Sequence, residues 1–186
     1  MNPIQSCLGV FAVIGRWPNW ERYFDLSRKG LKLSLVILAI CLVPLWLVAW
    51  SVRIEHTGLS GVAFTPPDLL RFTLTVGLLL FSFPAMAYLF AMVFEKMDRL
   101  RPWIITRNWA VFCLSIVTGG AFGLYLLGLL PFVIATGIAF ASFMGLLVID
   151  IRLTHKVVGF PLGMSILVSC VNVCVGLTFL ILSMSY

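Results

Sequence analysis

Charge is scarce in this chain. Asp, Glu, Lys and Arg make up 11% of 186 residues while 61% are hydrophobic, whereas a soluble domain is about half apolar. That balance excludes an ordinary water-facing surface. Histidine is almost missing as well. His56 and His155, the two present, lie in separate polar breaks far apart in the chain, so no nucleophile has an evident base, and no glycine-rich phosphate loop of the required spacing occurs. The chain reads as a non-enzyme with no cofactor. Cysteine is present but unpatterned: Cys7, Cys41, Cys113, Cys170 and Cys174 are scattered, four of them within apolar stretches. Neither a disulfide framework nor a metal site is expected, and they read as small apolar residues. A cleavable leader is not expected either, because Leu8 to Ile14 has no positive charge before it and no small-residue cleavage site after it.

What is there instead is a series of long apolar runs, each close to the roughly 20 residues that a helix needs to cross a hydrocarbon core. They lie at Leu33 to Val52, Phe72 to Phe94, Asn108 to Leu127, from Leu129 to near Ile149, and from Pro161 to about residue 184. The fold class expected is all-α, a polytopic bundle of five transmembrane spans over residues 31–186, preceded by a cytoplasmic or interfacial segment, residues 1–30. Phe11, Trp17, Trp20, Tyr23 and Phe24 give that segment the rings, and its arginines the charge, to lie on an inner leaflet.

Orientation follows from the distribution of Lys and Arg, which mark the cytoplasmic side. Arg16, Arg22, Arg28, Lys29 and Lys32 precede the first span, Lys96, Arg99, Arg101 and Arg107 follow the second, and Arg152 and Lys156 follow the fourth. Only Arg53 and Arg71 fall on the other side, eleven against two in all. The N-terminus is therefore expected in the cytoplasm, the C-terminus across an inner membrane. The net charge of +6 is explained by topology, and with no basic face there is no nucleic-acid partner.

No Asp, Glu, Lys, Arg or His is expected inside a span, which counts against a proton relay within this chain. Pro44 and Pro84 near the centres of spans one and two should kink their helices. Gly119, Gly120 and Gly123 in span three and Gly137, Ala141 and Gly145 in span four suggest a seam of close backbone approach. A turn at Gly128 and Pro131 would make these two spans a tight hairpin. In span five, Ser165, Ser169, Asn172 and Gly176 share one stripe, suited to interhelical hydrogen bonds or to lining a substrate path. Glu95 to Arg101 should prolong the second helix, pairing Glu95 with Arg99, until Pro102 stops it. The basic residues Lys96, Arg99 and Arg101 then form an inner surface for anionic lipid headgroups or a membrane-protein partner.

Five spans, this orientation and the small size resemble the YIP superfamily. Pro66-Pro67-Asp68-Leu69-Leu70 and Gly123-Leu124-Tyr125 echo, without reproducing, the Asp-Leu-Tyr-Gly-Pro and Gly-Tyr signatures of its eukaryotic members. The resemblance implies a membrane-organising or partner-binding scaffold, since those members are associated with small GTPases and vesicle traffic. A small permease or transporter subunit is the alternative, and a polar cleft reaching Asn172, Ser169 and Thr118 would favour it.

Reporter fusions test the alternation. Those after Ser60 and Tyr186 should read as non-cytoplasmic and those after Arg101 and Lys156 as cytoplasmic; one reversed reporter breaks the scheme.

Overall fold

The computed structural model describes residues 3–15, 17–57 and 66–184, without the side chains of 56–57, 66–69, 176–177 and 179–184. The segment around Ser60, the side position of Gly176 and the C-terminal Tyr186 thus lie outside the described residues. What is described is helical, with no strand. In order come α1 (Pro3–Ile14), a 3-10 turn (Trp20–Tyr23), α2 (Arg28–Ile40), α3 (Leu42–Thr57), α4 (Pro66–Val93), α5 (Met97–Leu126), α6 (Phe132–Leu153) and α7 (Leu162–Met184).

Among the described residues four helical stretches are long and apolar enough to cross a membrane: Arg28–Glu55, Leu70–Val93, Met97–Leu126 and Phe132–Val158. Their outer faces carry Leu78, Ile116, Val133 and Phe140 in the open, a load of exposed apolar side chains that fits lipid and not water. This is a membrane protein.

The first of these stretches is α2 and α3 in sequence, and the break between them has a local cause. Pro44 lacks an N–H and its ring crowds the carbonyl four residues back, so the ladder lapses at Cys41, whose N–H is shared between Ile37 and Leu38 carbonyls at 3.2 Å each. Pro84, by contrast, stays inside one continuous α4. The entry to α2 is well defined. Ser27 caps it by accepting from Lys29 and Gly30 N–H groups, while Asp25 accepts the Ser27 N–H at 3.0 Å. Hydrogen bonds from Ser27 hold the Asp25 carboxyl below the usual carboxylate range. A Cβ on Gly30 would run into the Asp25 carbonyl, so this turn requires glycine.

The charged run after the second span behaves differently from expectation. α4 ends at Val93 in a Schellman cap: Lys96 N–H reaches Ala91 O at 2.7 Å, Glu95 N–H reaches Met92 O at 3.4 Å, and Glu95 takes a left-handed φ of 55°. Lys96 is already the N-cap of α5. Lys96, Arg99 and Arg101 therefore do not prolong the second helix; Arg99 and Arg101 open the third. Arg99 pairs with its exposed neighbour Asp98 at 3.1 Å and not with Glu95. Pro102 lies within α5 and stops nothing.

α5 is the centre of the molecule, packing against α1, α2, α3, α4 and α6. From Trp103 to Val111 every residue is buried, as a helix surrounded by protein requires. The N-terminal segment contributes to this: α1 buries Ser6, Gly9, Val10, Ala12 and Val13, and Cys7 Sγ touches Cys113 Sγ at 2.7 Å. Ile4, Leu8 and Phe11 are exposed on its other side.

α5 and α6 form the hairpin anticipated from Gly128. Leu129 N–H bonds Leu124 O at 2.9 Å and Gly128 N–H bonds Tyr125 O at 2.8 Å, with Gly128 at φ 72°, another Schellman cap. The small-residue seam, however, is not where these helices meet. Gly137 and Ala141 are exposed, and a Cβ on Gly120, Gly123, Gly137 or Gly145 would meet nothing within 4 Å. Ala121, Phe122 and Ala135 are buried there instead. The one close approach is Gly119, where a Cβ would strike Pro44 of α3.

Gly119→Leu should therefore destabilise the detergent-solubilised protein by about 1–3 kcal/mol, the range for overpacking. Gly137→Leu should stay within about 0.5 kcal/mol. Thermal unfolding of both variants checks this, and equal losses would contradict the geometry.

Candidate functional site

Two charges are buried inside the bundle, against the expectation that every ionisable residue sits at a helix end. Arg107 is 7% exposed and Asp150 is 3% exposed. Arg107 lies ten residues into α5, and Asp150 is eight residues before the end of the stretch Phe132–Val158. At 1.5 Å per residue that is about 15 Å and about 12 Å from those ends.

The two meet directly. Arg107 Nε donates to Asp150 Oδ1 at 3.3 Å, and the guanidinium lies 4.0 Å from the Phe83 ring centroid, within cation–π range. Asn172 Nδ2 donates to Asp150 Oδ2 at 3.5 Å. Both carboxylate oxygens are thereby occupied, and helices α4 to α7 each send a side chain to one point. Phe83 is held edge-on by Trp103 at 5.5 Å, and Trp103 in turn by Phe160 at 6.3 Å.

Beside this cluster lies a cavity of about 290 Å³, close to the lower bound for small-molecule sites. It is lined by residues of α3 to α7, α5 among them along its length, and has Arg107, Asp150 and Asn172 in its wall. On α5 the lining is the stripe Arg107, Val111, Ser115, Thr118, at intervals of three and four. Its eleven-residue reach is about 16 Å. Leu80, Leu146 and other apolar side chains make most of the wall. The hydroxyl of Ser115 is turned back to the Phe112 carbonyl at 2.9 Å, and that of Ser82 to Leu79 at 2.8 Å. Those hydroxyls are satisfied within their own helices, and the charged groups of the cavity are Arg107 and Asp150 at one end.

The anticipated span-five stripe is accounted for in part. Ser165 is buried and bonds to the Phe160 and Pro161 carbonyls at 3.4 and 3.1 Å. Asn172 and Thr118 line the cavity, whereas Ser169 does not; it faces a separate, smaller space next to Asp150. Arg107 and Asp150 were not singled out by the sequence. Their signal was present, since Asp150 continues the stripe Ala139, Ser142, Phe143, Leu146, Leu147 that faces the cavity. A lone charge near the end of an apolar window reads as its boundary.

α6 ends with a π turn over Thr154–Val158, a distortion often found at functional sites. Gly159 closes it at φ 82°, and His155 Nδ1 lies 2.7 Å from the Phe160 carbonyl oxygen. Among the described residues no group of three or more His, Cys, Asp or Glu is placed to hold a metal ion. No family model, curated protein or solved structure matches this chain.

Breaking a buried pair from one side leaves an uncompensated charge, at about 3–5 kcal/mol. Asp150→Leu should therefore destabilise the protein by that much, and adding Arg107→Leu should restore part of the loss. Urea unfolding of the two single variants and the double variant in bicelles checks the cycle; additive losses would show that the pair is not coupled.

Proposed function

We propose that this chain is a five-span, multi-pass protein of an inner membrane, with its N-terminus in the cytoplasm and its C-terminus outside, and that it is a small permease for an amphipathic molecule. The fifth span is supported by α7, whose 23 residues extend about 34 Å. The orientation is supported by the eleven-to-two split of basic residues.

The observation that carries the permease reading is the cavity of about 290 Å³ ending on Arg107, Asp150 and Asn172. A bundle that only displays a surface gains nothing from an open cleft between its helices, which forfeits van der Waals contacts in a setting where packing holds helices together. Charges within spans line substrate or ion paths in membrane proteins. Apolar walls along one length and hydrogen-bonding groups at one end fit a molecule with an aliphatic body and a polar head. The walls take the body, and the Arg107–Asp150–Asn172 cluster takes the head.

The YIP-like scaffold is the second reading. It draws on the exposed basic residues Arg99 and Arg101 at the inner end of α5, which suit an anionic surface or a partner.

A fluorescent fatty acid serves as the amphipathic probe. Nanodisc-embedded protein should bind it saturably above empty nanodiscs, and Ser142→Phe, which fills the cavity, should weaken binding at least tenfold. Neutralising Lys96, Arg99 and Arg101 together should leave it unchanged. Binding no better than empty nanodiscs, or equal binding by Ser142→Phe, would sink the permease reading. Loss of a co-purifying protein on neutralising the three basic residues would support the scaffold.

A further inference from the structure

Serine inside a helix ordinarily returns its hydroxyl to a carbonyl one turn back. Ser34, Ser51, Ser82, Ser115 and Ser165 all do so here. Ser169 does not. Its hydroxyl is buried, with the residue 2% exposed, and has no hydrogen-bond partner. It lines a second cavity, of about 10 Å³, together with Asp150, Thr154 and Asn172.

An unpaired buried hydroxyl carries a desolvation penalty and calls for a partner. The space available is at the threshold for a single water molecule. Its walls include the polar side chains of Ser169, Asp150, Thr154 and Asn172, and a buried water makes two to four hydrogen bonds. A sodium ion would meet the same oxygens but would add a positive charge beside Arg107, whose single carboxylate partner is already committed at 3.3 Å. A neutral guest adds none.

We propose that this cavity is a binding site for one water molecule, which joins the Ser169 hydroxyl to the Asp150 carboxylate and to Asn172. Ser169 is then a positioning residue for the ion pair, acting through the water. Asp150 and Asn172 line both cavities, so the bound water backs the face of the network that the larger cavity presents. The site does not depend on the permease reading, since it follows from Ser169 and the ion pair alone.

Ser169→Ala separates a wet site from a dry one by sign. If water is bound, the variant loses a hydrogen bond to it and the melting temperature falls by about 2–4 °C, as expected for about 1 kcal/mol in a chain of this size. If the cavity is dry, alanine removes an unsatisfied hydroxyl, and the melting temperature rises or holds. A second measurement reads the water itself: exchange of H₂¹⁶O for H₂¹⁸O should shift a buried-water band in the infrared difference spectrum of the intact protein, and Ser169→Ala should abolish that band. A rise or no change in melting temperature, or a wild-type spectrum without the shifted band, overturns the proposal.

Discussion

The Arg107–Asp150 pair is the constraint from which the arrangement of α4 to α7 around it follows. Two charges in a medium of low dielectric are tolerable only when each faces the other and their remaining hydrogen-bonding capacity is met. Arg107 on α5 meets Asp150 on α6, Asn172 on α7 takes the second carboxylate oxygen, and Phe83 on α4 covers the guanidinium. Four helices are thereby held in one register. A slide of α5 or α6 by a turn would leave a charge unpaired in an apolar interior, and a slide of α7 or α4 would remove the Asn172 hydrogen bond or the Phe83 ring from the pair.

α5 serves both surfaces of this arrangement. One of its stripes, through Arg107, Val111, Ser115 and Thr118, lines the cavity. Other positions make contacts of closer fit: Asn108 Nδ2 donates to Ser34 Oγ of α2 at 3.2 Å, and Gly119 admits Pro44 of α3. Pro44 thus has two linked effects. It interrupts its own helix at Cys41, and it supplies the surface against which α5 can approach most closely.

Much of this architecture is legible in the sequence, and the parts that are not share a physical cause. Apolar runs and the turn at Gly128 identify the membrane helices, because length, hydropathy and left-handed φ are local properties. The helix boundary near Arg101 is not local in that sense. Pro102 and the five charges before it read as a helix that runs on to residue 101, yet the chain turns earlier, at Glu95, a residue with no intrinsic preference for φ 55°. Glycine spacing misled for a related reason. Gly137, Ala141 and Gly145 form a stripe on α6, but small residues permit close approach without compelling it, and that stripe carries no neighbouring backbone.

The stripe that matters on α6 is offset from the glycines and runs through Ala139, Ser142, Leu146 and Asp150. Its hydropathy rises and falls with no periodic contrast, because one side of the helix meets lipid and the other an apolar cavity. Sequence amphipathicity cannot distinguish two apolar surroundings. What distinguishes them is the single charge at the end of one stripe, which lipid would not tolerate and a partner on α5 can. In a helix that is otherwise apolar, an acid on the face away from a small-residue stripe is therefore informative about orientation. Asp150 points α6 inward, toward Arg107, and in doing so turns the Gly137–Gly145 face outward.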